Sequence, residues 1–124
     1  MRNVLIVVDM QNDFIDGALG TEEAVKILPE VERVCREFEG ELIFTRDTHP
    51  ENYLSTLEGE KLPVPHCIKG TDGWKIDKRI YSIVDSGFFA KYSSINNINS
   101  TFYKSFLVCI FNTKKEISTF MFCN

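Results

Sequence analysis

The feature that most restricts what this chain can fold into is the run Asn3 to Asp9, N-V-L-I-V-V-D. Five consecutive apolar residues, with no alternation, describe a strand covered on both faces, as in the middle of a parallel sheet. A parallel neighbour can only be reached by a long crossover, usually a helix. The sequence supplies one. Asn12-Asp13 and Asp16-Gly17 are loop and turn signals, and a helix is expected over Pro29 to Phe38. Proline suits a first helical turn, and Leu28, Val31, Val34, Cys35 and Phe38 share one face at spacings of three and four. Glu30, Glu32, Arg33, Arg36 and Glu37 fill the other face, and Gly40 can end the helix. A second strand, Glu41 to Arg46, follows. Strand, helix, strand with short links is a βαβ unit with a right-handed crossover.

A chain of 124 residues is expected to form one domain around one core. A formal net charge of −4 gives no basic footprint for nucleic acid or an anionic membrane. No window approaches the roughly 18 apolar residues that a membrane span needs. Met1-Arg2-Asn3 runs straight into the first strand without a signal-peptide h-region. Cys35, Cys67, Cys109 and Cys123 form no CxxC and read as reduced thiols. The expectation is a soluble cytoplasmic domain with no nucleic-acid or membrane partner, its self-association left open.

Asp47 to Trp74 reads mostly as loop, and loops of that length are usually functional or disordered. It holds Pro50, Gly59, Pro63, Pro65, Gly70 and Gly73, with both histidines of the chain. Arg79 to Val84 reads as a third strand. Beyond Gly87 the composition changes. Residues 88–124 contain no Gly or Pro and one acidic residue, Glu116, yet hold seven of the ten phenylalanines. Phe102, Phe106 and Ile110 have helical spacing, and Thr119 to Cys123 reads as a strand. Turn chemistry between them is missing, so local and global signals disagree.

In a parallel open sheet, ligands bind beyond the carboxyl ends of the strands. Asp9 ends the first strand and Asp47 follows the second, which puts Asp9, Asp47 and His49 on one rim. Asp47 and His49, two apart in extended chain, point the same way. His66, after the stiff Pro63-Val64-Pro65, can supply a third ligand. Two histidines and a carboxylate leave coordination positions open, as catalytic zinc and non-haem iron sites require. The alternative is that each histidine is a turn or surface residue. Asp9, at the end of a buried strand, could serve as a general base or could be a turn-forming aspartate that ties down Gln11-Asn12-Asp13. Phe14, Tyr53 and Trp74 could line a pocket or belong to the core.

Three segments carry a family resemblance: V-L-I-V-V-D-M-Q-N-D-F-I-D-G-A-L-G (Val4 to Gly20), F-T-R-D-T-H-P (Phe44 to Pro50) and L-P-V-P-H-C-I-K-G-T-D-G-W (Leu62 to Trp74). In this order they resemble the nicotinamidase branch of the isochorismatase-like cysteine hydrolases, over roughly residues 3–80. The resemblance implies a three-layer αβα sandwich with a parallel, Rossmann-like sheet, and hydrolysis of nicotinamide to nicotinate and ammonia through a thioester. It implies that Asp9 is the catalytic aspartate, that Phe14 packs on the substrate ring, and that Asp47, His49 and His66 hold a divalent metal. Zinc is the first choice, with iron or manganese as alternatives. Glu58 resembles a carboxylate that some members place near the metal through water. Lys91, in F-F-A-K-Y-S-S, is chosen as the catalytic lysine; another register would put Ser86 there.

The family's Gly-x-Cys-Thr-Asp-x-Cys-like turn, whose second cysteine is the nucleophile, does not occur. Cys109, in F-L-V-C-I-F, looks like apolar core. Cys123 follows a segment resembling the strand that leads into that turn, and is the choice for nucleophile. Cys67 reads as part of the metal loop. The sandwich is therefore expected to be incomplete at the C-terminus, with residues 1–87 family-like and residues 88–124 divergent. Frameshift or early termination in an A/T-rich gene would yield that composition. The alternatives to nicotinamide hydrolysis are an isochorismatase-like hydrolase acting on another amide or ester, and a non-catalytic fragment that still binds metal.

Overall fold

The computed structural model describes residues 3–85, 90–94, 106–112 and 117–122, with side chains up to residue 83. Strand β1 (Asn3–Val7) is followed by the single-turn helix α1 (Asn12–Ile15), the long helix α2 (Glu22–Glu37) and strand β2 (Glu41–Arg46). A 3-10 turn (Tyr53–Ser55) and the short helix α3 (Leu57–Lys61) interrupt the long connection. Helix α4 (Lys78–Asp85), then β3 (Ala90–Ser94), β4 (Phe106–Asn112) and β5 (Ile117–Phe122) complete the order. Among the described residues no helix is long and apolar enough to cross a membrane.

The five strands form one sheet in the order β3-β2-β1-β4-β5. β1, β2 and β3 run parallel, with Val4 opposite Glu41 and Leu42 opposite Ala90. This is the expected α/β fold built on a parallel sheet. β4 departs from it: it lies antiparallel to β1, and β5 is antiparallel to β4. The helical spacing of Phe102, Phe106 and Ile110 misled, because Phe106 and Ile110 lie on strand β4. A short apolar run fits a buried strand as well as a helix, and pairing along β1 decides it.

Leu5 and Val7 of β1, and Leu42 and Phe44 of β2, point to one face and are fully buried. Helices α2 and α4 pack on that face with Leu28, Val31, Cys35, Ile80 and Ile83, forming one helical layer of the sandwich. Burying each such aliphatic side chain is worth roughly 1.5–3 kcal/mol. Cys35 and Cys67 are free and buried.

Two expectations need correction. Helix α2 begins at Glu22, well before Pro29, because Thr21 caps it: its hydroxyl accepts the Ala24 amide at 3.1 Å, and Glu22 and Glu23 follow in the first turn, where negative charge is favoured. Pro29 sits inside the helix. It lies on the exposed side, where water can take the Val25 carbonyl that has no proline N–H to meet. The segment from Arg79 to Val84 is not a strand but most of helix α4. Asp77 accepts the Arg79 amide at 2.8 Å, capping the start, and Ile76, Ile80 and Ile83 are buried at helical spacing. The third strand is β3.

Candidate metal-binding and active site

β1 and β2 end side by side, so Asp9 and Asp47 emerge on the same rim. Asp9 turns off the sheet with a left-handed φ of 50°. Its amide donates to Thr45 Oγ1 at 3.1 Å, and the Thr45 hydroxyl donates to Asp9 Oδ1 at 2.6 Å. Burial pushes the Asp9 carboxyl above the ordinary aspartate range. The Thr45 hydrogen bond offsets part of this, and the neighbouring Asp47 charge adds to it.

Asp47, His49 and His66 come together. Their candidate ligand atoms all lie within 4.8 Å of one another. His49 Nε2 is 2.8 Å, and His66 Nε2 3.5 Å, from Asp47 Oδ2. The Asp-x-His spacing accounts for the first pair. The third residue arrives through an isolated parallel bridge between His49 and Ile68: the His49 amide donates to the Cys67 carbonyl, and the Lys69 amide to the His49 carbonyl, both at 2.9 Å. His66 Nδ1 donates to the Val64 carbonyl at 2.7 Å, so in the neutral ring it is Nε2 that carries the lone pair a cation requires. Tyr53 is fully buried against both rings, with centroids 4.7 Å from His49 and 5.1 Å from His66. Its hydroxyl donates to the Leu62 carbonyl at 2.9 Å.

The electrostatics suit a cation. Burial alone would push the Asp47 carboxyl up, but its hydrogen bond with His66 and the charges of the two imidazoles hold it below the ordinary range. Burial opposes a charge on His66, yet the bonds to Asp47 and the Val64 carbonyl outweigh it and raise its pKa. Two imidazoles and one carboxylate, pre-gathered and mostly buried, fit a borderline divalent ion with open coordination positions. Glu58 stands close by, its Oε2 3.8 Å from His49 Nδ1.

Phe14, on α1, meets His66 edge-on at 5.7 Å between centroids, so it lines the same rim. Trp74 has the Arg46 guanidinium stacked on its ring at 3.9 Å, and its indole N–H donates to Thr48 at 2.8 Å. Cys67 is fully buried in the left-handed region at φ 47°. Burial, with the charges of Asp47, Asp13 and Asp9, pushes its thiol far up, which makes it inert rather than nucleophilic. Asp9 and Cys67 are the only non-glycine residues of positive φ among the described residues. Both lie at the rim, where such strain tends to gather.

Lys91 falls on β3, level with Ile43 of β2, but its side chain lies outside the described residues, as do Ser86 and Cys123. Cys109 is on β4, opposite Ile6. Three residues escaped sequence reasoning as parts of the rim: Thr45, Gln11 and Asp13. Gln11 is fully buried. A glutamine set between Asp9 and Asp13, just after a buried strand, was the available signal, since a buried carboxamide must find partners.

Residues 3–110 match the model of the isochorismatase domain. Among solved structures, the chain is similar to the pyrazinamidase of Pyrococcus horikoshii in complex with zinc, at 29% identity and a TM-score of 0.53, covering 79% of this chain and 55% of that one. It is similar to a nicotinamidase/pyrazinamidase of Bacillus subtilis at 24% identity and a TM-score of 0.65, covering 83% and 61%. A nicotinamidase/pyrazinamidase of Acinetobacter baumanii follows at 25% identity and a TM-score of 0.56, covering 78% and 54%. The chain thus spans little more than half the length of these structures. No curated protein sequence matches it. The family match takes in β1 to β3, most of β4 and every residue of the Asp47, His49 and His66 cluster, and the chain belongs to the isochorismatase-domain family.

Proposed function

We propose that this chain is of the nicotinamidase type, a cysteine hydrolase lineage that releases ammonia from a small aromatic amide such as nicotinamide. One observation carries the reading: the Asp47, His49 and His66 ligand atoms gather within 4.8 Å on the rim that also bears Asp9. The similarity to a zinc-bound pyrazinamidase at 29% identity supports it.

In this reading Asp47, His49 and His66 hold a divalent ion, which when bound would supply a Lewis-acidic anchor for the ring nitrogen of the substrate. Zinc is favoured, and iron or manganese would suit the same donors. Phe14 packs on the ring. Asp9, its carboxyl raised by burial, takes the proton from the thiol, with Lys91 favouring the thiolate by its charge. The thiolate attacks the carboxamide carbon, the proton passes from Asp9 to the departing nitrogen, and ammonia leaves a thioester. Water then adds, expelling the thiol and giving the carboxylate. Cys123 is the proposed nucleophile. β5 runs in the direction of β1, and its last residue, Phe122, faces Phe106, two positions from the Val108 that faces Val7. β5 therefore ends on the rim where β1 ends.

A second reading is a metal-binding domain without hydrolysis. It is favoured by the ligand cluster needing neither Lys91 nor Cys123. Purified protein should be assayed for bound metal and for ammonia release from nicotinamide and from unrelated amides. The hydrolase reading expects metal that His49→Ala loses, and ammonia release that Asp9→Asn and Cys123→Ser abolish. Metal without ammonia release leaves the second reading; neither would end both.

A further inference from the structure

The strip from Asp9 to Asp13 reaches the loops that carry the ligand cluster, yet only Asp9 has a role in the chemistry above. Gln11 is fully buried, and its carboxamide bonds only to backbone. Oε1 accepts the Asp47 amide at 2.7 Å, while Nε2 donates to the Asp47 carbonyl at 2.9 Å and to the Trp74 carbonyl at 2.8 Å. Both polar groups of the Asp47 backbone are thus held by one side chain. β2 ends at Arg46, so Asp47 lies just past the strand's last residue, and Gln11 grips its backbone there. Asp13 does the same for the other ligand loop. Its Oδ2 accepts the Cys67 amide at 2.7 Å, and its Oδ1 the Ala18 amide at 3.2 Å. Cys67 adjoins His66 and sits in the left-handed region, a strained conformation that persists only when its surroundings impose it.

We infer that Gln11 and Asp13 are positioning residues for the ligand cluster: Gln11 fixes where the Asp47 carboxylate stands, and Asp13 fixes the turn that delivers His66. The inference rests on the metal reading of that cluster. A side chain needed only to fill space at position 11 could be apolar, as its neighbour Met10 is. The carboxamide instead accepts one amide on its oxygen and gives both its donors to carbonyls, three of the four bonds such a group can make, and all of them to backbone. Outer partners of this kind orient ligands without touching the ion, and their loss typically weakens metal affinity roughly 10–100-fold.

The test uses the full chain, unmodified and as Gln11→Met, Asp13→Ala, Asp13→Asn and Leu28→Ala. Cobalt(II) affinity is measured by competition with a chelator, the visible ligand-field spectrum is recorded, and the metal-free stability of each is followed by urea unfolding. Gln11→Met and Asp13→Ala should weaken cobalt binding roughly 10–100-fold and alter the spectrum. Asp13→Asn keeps one acceptor for the Cys67 amide and should recover most of that loss. Leu28→Ala, on the buried face of α2, should lower stability while leaving cobalt affinity unchanged, which separates positioning from general destabilisation. Should Gln11→Met fail to fold, the Asp13 pair decides. Tight binding by the unmodified protein with no loss in the Gln11 and Asp13 variants overturns this inference alone. An unmodified protein that binds no cobalt overturns it together with the metal reading.

Discussion

Replacing Asp9 with asparagine should make the metal-free protein progressively more stable, relative to the unmodified chain, as the pH rises. Burial is the main reason the Asp9 carboxyl titrates above the ordinary aspartate range, with the Asp47 charge adding and the Thr45 hydroxyl subtracting. In the unfolded chain Asp9 titrates near about 3.9. Between that value and its raised native value the folded state holds more protons than the unfolded one, so stability falls as pH rises through the window. Below the unfolded value nothing is lost; above the native value the loss is complete. Each unit of elevation costs about 1.4 kcal/mol, a factor of about ten in the folding equilibrium. Asparagine keeps the shape, and its Oδ1 can still accept the Thr45 hydroxyl bond of 2.6 Å, but it has no charge to desolvate. Asp47 acts in the same direction, since removal of the Asp9 charge eases its ionisation. Urea unfolding of chelator-treated protein and variant, below and well above the ordinary aspartate range, measures the difference. The variant's advantage should be larger in the second condition than in the first. An advantage that is flat in pH, or that shrinks as pH rises, would refute the claim that desolvation dominates at Asp9.

Two further perturbations probe the neighbourhood of this carboxylate. Thr45→Val removes both bonds to Asp9, an interaction with a charged partner worth about 1.5–3 kcal/mol; the Asp9 carboxyl should rise further, and the acid limb of any ammonia-release profile should move to higher pH. A limb that stays in place would show that it does not report Asp9. Gly73→Ala puts a methyl group inside contact distance of the Asp13 carboxylate, which should cost about 1–3 kcal/mol by overpacking. An unchanged urea midpoint would mean that Asp13 moves aside freely.

Much of the frame was legible because it is written in local periodicity. The apolar run at Val4 to Val8 and the boundaries of β2 follow from strand patterning, and the buried face of α2 from spacings of three and four. The Asp47-x-His49 pair was legible for the same reason, since an extended chain repeats every two residues. Where competing local rules met, one of them was read wrongly. Pro29 looked like a helix start, whereas the Thr21 hydroxyl and its two acidic successors set the true one. Arg79 to Val84 has an apolar content that fits a strand, yet the Asp77 cap and the burial of Ile80 and Ile83 against α2 make it helix.

By itself, the sequence determined the βαβ frame, the rim on which Asp9 and Asp47 emerge, and the identity of the candidate ligands, because these depend on contacts a few residues apart and on motif order. Only the tertiary structure decided that His66 reaches Asp47, that Thr45 and Gln11 hold the two aspartates, and that β4 runs antiparallel to β1. Those are hydrogen bonds and strand pairings between residues tens of positions apart. Their partners are chosen by how the chain closes on itself, and no local pattern encodes that choice.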